Sequence, residues 1–229
     1  MFDLLPRTVN PLQPARLTIE HLLSVCRRGL LPSCCLLCGG PGDPDGVDLC
    51  APCRRMLPTA GTVDVVPFGR VVCPWRYAWP LDLAIQSMKF HGERAWGRVF
   101  GVLLARERLA LPEPLPDLVV PVPLHLTRQR SRGFNQSADI ARGTARALRL
   151  PCATQALERT RATGIQSSLP AAARVANVTG AFRATRSLQG LRVALLDDVL
   201  TTGSTAAAAA AALIAAGAGT MELWAVARA

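Results

Sequence analysis

Two adjacent carboxylates and the turn behind them are the part of the chain best suited to chemistry. Residues 193–205 read VALLDDVLTTGST, so Asp197 and Asp198 stand at the end of an apolar run. In a parallel sheet, ligands bind in the crevice beyond the carboxyl ends of the strands. Carboxylates in that position can accept hydrogen bonds from sugar hydroxyls or approach a metal ion held by a diphosphate.

The turn that follows the two acids favours a phosphate. Its members are small or carry a hydroxyl group: Thr201, Thr202, Gly203, Ser204 and Thr205. Small residues let backbone N–H groups converge, and a helix that begins here adds the positive end of its dipole. A plain capping turn with two exposed aspartates is the alternative, but it does not explain why all these features occur together. The stretch therefore predicts a site for a ribose phosphate.

Four cysteines have the spacing of a structural metal site. CLLC (35–38) and CAPC (50–53) give the pattern C-x2-C-x11-C-x2-C, with the candidate ligands Cys35, Cys38, Cys50 and Cys53. Four sulfur ligands leave no open position for a substrate, so the pattern favours structural zinc. Disulfides and a redox-active pair are the competing interpretations, and Cys34 is an alternative to its neighbour as ligand. The other cysteines are expected in the core: Cys26, Cys73 and Cys152.

Positive charge is concentrated in the middle of the chain. The net charge of the chain is +10. Residues 125–192 carry twelve arginines and two acids, Asp139 and Glu158, so this segment alone has a net charge of +10. Such a segment suits phosphate esters or a nucleic-acid backbone, and a solvated arginine-rich surface is the open alternative. The run WRYAW (75–79) can stack bases or pack in a core.

The same sequence gives expectations about the compartment. No apolar run reaches the roughly 18 residues of a membrane span. The N-terminal segment MFDLLPRTVNPLQPAR lacks the charge and apolar pattern of a secretion signal. We therefore expect a cytoplasmic protein without membrane insertion.

Taken together, the motifs resemble those of the ComF family. VALLDDVLTTGST is similar to the phosphoribosyl-diphosphate (PRPP) signature of the type I phosphoribosyltransferases. The likeness extends over roughly residues 30–229, through the cysteine pairs, MKFHGER (88–94), VVPVPLHLTRQRSRGFNQSADIA (119–141) and RTRATGIQSSLPAAARVANVTGAF (159–182). In that family a small zinc module precedes a phosphoribosyltransferase-like domain, and members are associated with competence, the uptake of single-stranded DNA.

The resemblance implies a role for each matched residue. Asp197 and Asp198 would contact the ribose 2′ and 3′ hydroxyls, while residues 201–205 would hold the 5′-phosphate. A second loop, PVPLH (121–125), would hold the diphosphate, and Mg²⁺ would bridge diphosphate and ribose oxygens. The residues expected around the diphosphate are Val122, Pro123, Arg128, Arg132, Asn135 and Lys89, the last being equally open as a surface residue. Candidates for a lid are Gln166, Arg174 and Asn177, and possible acid/base residues are His91 and His125.

Two functions fit these expectations. The first is an enzyme that transfers the phosphoribosyl group of PRPP to an unidentified acceptor as diphosphate leaves the anomeric carbon. The alternative is a protein that binds single-stranded DNA and uses PRPP as a regulator, without turnover, alongside other competence proteins. A purely structural zinc adaptor would leave the predicted ribose-phosphate loop unexplained.

The elements that must position these residues alternate between strand and helix. The pattern predicts strands at 71–77, 118–122, 153–157, 192–197 and 221–227. It predicts helices at 18–30, 81–110 with a break at Gly92, 136–150, 170–178 and 204–216. Strands that are apolar on both faces imply a mostly parallel sheet covered by helices. The expected fold is α/β, of the type I phosphoribosyltransferase kind by resemblance. Residues 1–60 are expected to form a helix and a zinc-ribbon-like module with four cysteine ligands, and residues 61–229 the main domain.

Overall fold

A parallel β-sheet lies at the centre of the molecule. The computed structural model describes residues 33–61, 65–161 and 180–229. The strands, in chain order, are β1 (Arg70–Val72), β2 (Trp75–Arg76), β3 (Leu118–Pro121), β4 (Leu157–Arg159), β5 (Phe182–Ala184), β6 (Arg192–Leu200) and β7 (Thr220–Arg228). The main sheet has the order β1-β7-β6-β3, with β2 also paired to β7, and every pairing in it is parallel.

Helices cover both faces of this sheet. In chain order they are α1 (Ala51–Arg55), α2 (Leu81–Gln86), α3 (Ala95–Leu109), α4 (Leu126–Arg132), α5 (Gln136–Leu148) and α6 (Ser204–Ala215). One hydrophobic core joins α2, α3 and α5 to the sheet, and a second core lies on the α6 side. The α/β class predicted from the sequence, with a mostly parallel sheet and helices on both faces, is confirmed.

The two central strands explain why the sheet forms where it does. The apolar run of β6 places Leu195 directly opposite Leu223 of β7 and Val120 of β3, and all three side chains are fully buried. Strands buried on both faces need continuous apolar sequence, as these two strands have. The sheet therefore holds β6, and the acids within it, in a fixed register.

Helices α3 and α5 approach each other unusually closely. A Cβ atom built on Gly101 would lie 2.7 Å from the backbone of Gly143, so neither helix can carry a larger residue at this crossing without a shift. The contact holds the middle of α5 against α3, the helix that follows the MKFHG motif.

The predicted break in the 81–110 segment is confirmed at Gly92. Helix α2 is followed by a π-helical turn at Ser87–His91, after which Gly92 adopts φ 72° and the chain restarts as α3. Left-handed backbone is inexpensive for glycine, which explains the position of the break. Turns of π-helix are often found at functional sites.

Three predicted strands differ from the strands in the structure. The predicted strand at 192–197 extends to Leu200, because β7 continues alongside it as far as Arg228. The predicted strand at 153–157 is not part of the main sheet. Cys152 forms an isolated bridge to β3, and β4 pairs antiparallel with β5 in a separate two-stranded sheet. The edge segment predicted at 71–77 divides into β1 and β2 around Pro74, which has no N–H to donate.

The cysteine-rich segment packs directly on the α/β sheet. Leu49 and Cys53 belong to the same hydrophobic core as Trp75 and Phe100. Acidic side chains of its loop pair with arginines of α3: Asp48 with Arg98, and Asp45 with Arg106 at 3.2 Å. The predicted domain boundary at residue 60 stays a prediction, and side chains on both sides of it share one core.

Two predicted helices, at 18–30 and 170–178, lie outside the described residues, as does Cys26. Among the helices of the described ranges, none has the length and apolar character needed to cross a bilayer.

Candidate functional site

The acid pair lies beside a cavity at the end of the short edge strand. Strand β3 ends at Pro121, opposite Leu196, and β6 continues past it with Asp197 and Asp198. Both acids line a cavity of about 340 Å³. Small-molecule sites have volumes of about 300–1,000 Å³ and often lie at this edge of α/β sheets.

Each acid is held by a specific partner. The hydroxyl of Ser137, at the start of α5, donates to Oδ1 of Asp197 at 2.9 Å, and the backbone N–H of Asp198 donates to the same oxygen at 2.9 Å. On the other acid, Oδ2 of Asp198 lies 3.0 Å from the Nζ atom of Lys89 in the π-helical turn. Elements far apart in the chain thus converge on the two carboxyl groups.

Burial raises the pKa of Asp197 to about 6, and the negative charge of Asp198 acts in the same direction. The hydrogen bond from Ser137 and the positive charge of Lys89 oppose that rise. Two neighbouring carboxylates in a partly desolvated site repel each other, so one of them is held close to protonation. A ligand that donates hydrogen bonds here would relieve this repulsion.

The turn at 201–205 has the backbone of an anion site. Gly203 is the N-cap of α6 with φ 75°, and a Cβ atom there would meet Val65 at 2.9 Å. Gly203 has no side chain to cap the helix, and the N–H of Ser204 donates instead to the hydroxyl of Thr202 at 3.5 Å. The positive end of the helix dipole makes this turn a suitable site for an external anion. Thr202 and Ser204 place their hydroxyl oxygens 3.0 Å apart. The turn members that line the cavity are Thr201, Gly203 and Thr205.

The loop at 121–125, predicted to hold the diphosphate, also borders this cavity, through Val122 and Pro123. Asn135 supports that loop from behind: its Nδ2 atom donates to the carbonyl of Val122 at 3.1 Å, while its Oδ1 accepts from the N–H of Ala138 at 3.4 Å. Asn135 is thus the N-cap of α5, and both ends of its amide already have protein partners.

Arg132 lines the cavity and is fixed by two contacts. Its guanidinium donates to Oε1 of Gln136 at 3.3 Å, and its Cζ atom lies 5.3 Å from the centroid of the Phe90 ring. The side chain of Arg128, on the same helix, lies outside the described residues. The lid candidates are outside them too: Gln166, Arg174 and Asn177.

Several residues of the cavity were not identified from the sequence. Ser137, which binds Asp197, follows the capping Asn135 in a stretch that reads simply as a helix start. Tyr77 and Arg159 also line the cavity. WRYAW offered a partial signal, but the run divides: Trp75 is buried in the core, whereas Trp79 is 62% exposed.

Neither histidine that was considered as an acid/base residue lines the cavity that contains Asp197 and Asp198. His91 is exposed at the end of the π-helical turn. His125 lines a separate groove next to the 121–125 loop, with Nδ1 2.7 Å from the hydroxyl of Thr127.

The four predicted cysteine ligands converge. All four sulfur atoms, of Cys35, Cys38, Cys50 and Cys53, lie within 4.8 Å of one another, and the Cys38–Cys50 pair is 3.8 Å apart. Tetrahedral zinc with Zn–S bonds of about 2.3 Å requires S···S separations of about 3.8 Å. Cys34 is turned away, with its thiol donating to the carbonyl of Gly39 at 3.1 Å. The cluster is therefore compatible with a structural metal ion.

Comparison with known proteins identifies the family. The chain is 35% identical over 225 residues to the DNA utilization protein YhgH of Salmonella typhi. The matched region covers 94% of this chain and 93% of that protein. It is 30% identical over 187 residues to competence protein F of Haemophilus influenzae, covering 79% and 78%. The chain therefore belongs to the family of these proteins, the ComF family, as its motifs predicted.

A solved structure matches part of the chain. It is the glutamine PRPP amidotransferase of B. subtilis, complexed with ADP and GMP. The matched region covers 56% of this chain and 25% of the amidotransferase chain, with 25% identity and a TM-score of 0.38. No family model matches the sequence.

Proposed function

We propose that this protein binds PRPP with Mg²⁺ and acts as a phosphoribosyltransferase-like member of the ComF family in the use of DNA. The observation that supports this most strongly is the meeting, on one cavity, of Asp197, Asp198 and the glycine-capped turn at 201–205. Acceptors suited to sugar hydroxyls thus stand next to amides suited to a phosphate. The names of the YhgH and competence relatives support the link to DNA.

Each part of PRPP has a matching part of the cavity. The carboxylates of Asp197 and Asp198 accept hydrogen bonds from the 2′ and 3′ hydroxyls of the ribose. The first amides of α6 and the turn hydroxyls bind the 5′-phosphate, for which the helix dipole is favourable. The backbone of Val122 and the guanidinium of Arg132 face the diphosphate, since planar guanidinium groups bind phosphate oxygens at two points.

In the reaction we propose, the bond between the anomeric carbon and the diphosphate oxygen breaks, and a bond to the acceptor forms on the opposite face of the sugar. Bound Mg²⁺ supplies charge neutralisation for the diphosphate. The residues of the chain position the sugar and stabilise the charge that develops, which is where catalysis of this type arises.

Lys89, for which a diphosphate contact stays a prediction, pairs with one of the two acids. Its ammonium group lies against Asp198, with 18% of the side chain exposed. We infer that it compensates the acid pair while the sugar is absent and moves aside or shares Asp198 when the sugar binds. Lys89 is the single lysine among 26 basic residues, and a flexible ammonium suits an exchangeable contact.

Calorimetry with PRPP and Mg²⁺ tests the proposal. We expect saturable binding of PRPP that weakens when Mg²⁺ is omitted, and release of diphosphate when a suitable acceptor is added. Binding without diphosphate release from any acceptor would support the regulatory alternative. No heat of binding for PRPP at millimolar concentration would overturn the assignment of the cavity.

The second candidate function is the binding of single-stranded DNA. A larger groove of about 1210 Å³ adjoins the first cavity and shares Pro123, Leu124 and Arg159 with it. Two acids and four arginines line this groove. The arginines are Arg94, Arg142, Arg159 and Arg186. Arginines along a groove are suited to a phosphate backbone.

Salt dependence tests this second candidate. If arginine–phosphate contacts dominate, the affinity for an oligonucleotide should fall steeply as the salt concentration rises. Arg186→Ala should weaken binding and reduce the slope, while Arg106→Ala, on the far side of α3 at the cysteine loop, should leave both unchanged. A flat salt profile, or no binding at about 50 mM salt, would favour the small-molecule enzyme.

A further inference from the structure

The start of α5 carries the NQS part of the RGFNQS motif, to which the proposed function assigns no role. The Nδ2 atom of Asn135 donates to the carbonyl of Val122 at 3.1 Å, and the hydroxyl of Ser137 donates to Oδ1 of Asp197 at 2.9 Å. Val122 belongs to the loop that faces the diphosphate in the proposed function, and Asp197 is one of the two acids. Two side chains of one helical turn thus reach both halves of the cavity.

Neither contact is needed to begin the helix. Oδ1 of Asn135 already caps it by accepting from the N–H of Ala138 at 3.4 Å, which leaves Nδ2 for the loop. Ser137 is 3% exposed, and its hydroxyl bonds to a carboxyl group of another element. By contrast, the buried hydroxyl of Thr144 in the same helix donates to the carbonyl of Ile140 within that helix.

The contact of Asn135 fixes how the loop leaves the sheet. The N–H of Val122 donates to the carbonyl of Leu196 in β6 at 2.8 Å, so with Asn135 on its carbonyl both polar backbone groups of Val122 are engaged. Carbonyl oxygens are acceptors and repel the oxygens of a phosphate. By binding this oxygen, Asn135 keeps it from facing an anion in the cavity.

The contact of Ser137 fixes the orientation of an acid. Oδ1 of Asp197 accepts from this hydroxyl and from the N–H of Asp198, at 2.9 Å each. Two donors on one oxygen hold the plane of the carboxyl group, and hydrogen bonds to the charged form favour ionisation. An oriented, ionised carboxylate is a strong acceptor for a sugar hydroxyl.

We propose that Asn135 and Ser137 are positioning residues for the two halves of PRPP. Asn135 sets the loop that faces the diphosphate, and Ser137 orients Asp197 for the ribose. This rests on the proposed function and adds to it how the binding groups are held. Because both residues stand at the start of one helix, they keep the loop and the acid at a fixed separation, as a ligand that bridges them requires.

The test measures affinities for the two halves separately, as inorganic diphosphate and ribose 5-phosphate, by calorimetry on the full chain with Mg²⁺. Ser137→Ala should lower the affinity for ribose 5-phosphate about tenfold, the worth of one hydrogen bond to a charged group, and leave that for diphosphate within about twofold. Ser137→Thr keeps the hydroxyl and should restore the native affinity. Thr144→Val removes a buried hydroxyl from the same helix and is the matched control, with both affinities unchanged.

Variants at position 135 should show the reverse selectivity. Serine still caps a helix but has no amide group to donate. Asn135→Ser should therefore lower the affinity for diphosphate about tenfold and leave that for ribose 5-phosphate within about twofold. Asn135→Asp, which also caps without donating, should lose at least as much affinity for diphosphate. Cooperative unfolding in urea shows which variants are folded.

A turn that only supports the fold would give a different pattern. If each variant weakens both ligands alike or weakens neither, or if Ser137→Thr fails to restore ribose 5-phosphate binding, the positioning roles are wrong while the proposed function stands. If the native protein binds neither half of the ligand and does not bind PRPP, the proposed function is wrong and the positioning roles are withdrawn with it.

Discussion

Asp197 is a carboxyl group whose surroundings favour its neutral form. Burial and the adjacent Asp198 raise its pKa to about 6, from an ordinary value of 3.8. A group whose pKa is higher in the folded than in the unfolded protein binds more protons when folded. The free energy of unfolding therefore falls as the pH rises from about 4 to about 6.

From this shift we predict that Asp197→Asn stabilises the ligand-free protein at neutral pH. Asparagine can still accept the hydrogen bond from Ser137 but carries no charge, so the expected gain at pH 7.5 is roughly 1–3 kcal/mol. The gain should shrink as the pH is lowered through 6 toward 5. Urea unfolding of both proteins at several pH values measures it. A variant that is less stable than the native protein at pH 7.5 would contradict the cause given for the pKa shift.

Lys89 gives a second prediction at the residue scale. Its positive charge lowers the pKa of Asp197, so Lys89→Met should raise that pKa further. In the proposed function the acids bind PRPP in their ionised form, so the pH at which affinity is lost should move upward in the variant. Lys89→Arg, which keeps the charge, should leave the midpoint of the pH profile near the native one. Identical profiles for the methionine variant and the native protein would show that Lys89 does not act on the acids.

The sequence was most informative at this scale about residues that lie close together in the chain. Asp197, Asp198 and the turn at 201–205 were predicted as one site, and both acids and three residues of the turn line one cavity. Ser137 and Tyr77 reach that cavity from distant segments. A serine near a helix start has no sequence feature that reports its partner 60 positions away.

At the scale of elements, helix α3 is tied to β7 by a fully buried arginine. Arg108 donates two hydrogen bonds to the carboxylate of Glu222, at 2.8 and 2.9 Å, and its other N–H groups reach the carbonyls of Glu113 and Pro114. The indole N–H of Trp224 donates to the same carboxylate. A buried ion pair offsets the cost of desolvating its two charges only when its remaining hydrogen-bonding groups are also satisfied, as they are here.

We predict that Arg108→Ala lowers the free energy of unfolding by about 3–5 kcal/mol, because it leaves the largely buried Glu222 carboxylate without its charged partner. The matched control is Arg106→Ala, on the same helix, which removes an exposed pair with Asp45 at 3.2 Å. That change should cost no more than about 1 kcal/mol. Chemical denaturation of both variants decides the matter, and equal costs would contradict the importance assigned to the buried pair.

Elements with strong local signals were predicted well, and elements defined by distant pairing were not. The apolar run of β6 and the amphipathic spacing of α5 lie within single segments, and both are confirmed. The pairing of β4 with β5 joins residues that are separated by more than twenty positions. Short strands carry too little periodicity to indicate their partners, so these two could not be assigned to a separate sheet from sequence.

At the scale of the whole molecule, the cysteine cluster is part of the main core. Cys53 packs in the hydrophobic core that contains Trp75 and Phe100, and Asp48 of the cysteine loop pairs with Arg98 of α3. Helix α3 in turn crosses α5, which supplies Ser137 to the acid pair. Disruption of the cysteine cluster would therefore affect the packing of the α/β sheet and of α5, which carries Ser137.

We predict about one zinc ion per chain, bound by the four cysteines. Chelation should unfold residues 30–55 at least in part and lower the melting temperature of the entire protein, because the two parts share a core. Cys53→Ser should have the same effect, whereas Cys34→Ser, outside the cluster, should keep the metal and the stability. Metal analysis of protein purified without chelator measures the stoichiometry, and finding no zinc would remove this assignment.

The central claim is that two neighbouring acids and the turn behind them bind a phosphorylated pentose. Calorimetry of PRPP with Mg²⁺, on the native protein and on the double variant Asp197→Asn, Asp198→Asn, tests it most directly. We predict saturable binding by the native protein and loss of detectable binding by the double variant, which should still unfold cooperatively. A folded double variant with unchanged PRPP affinity, or a native protein that does not bind PRPP at all, would contradict the account.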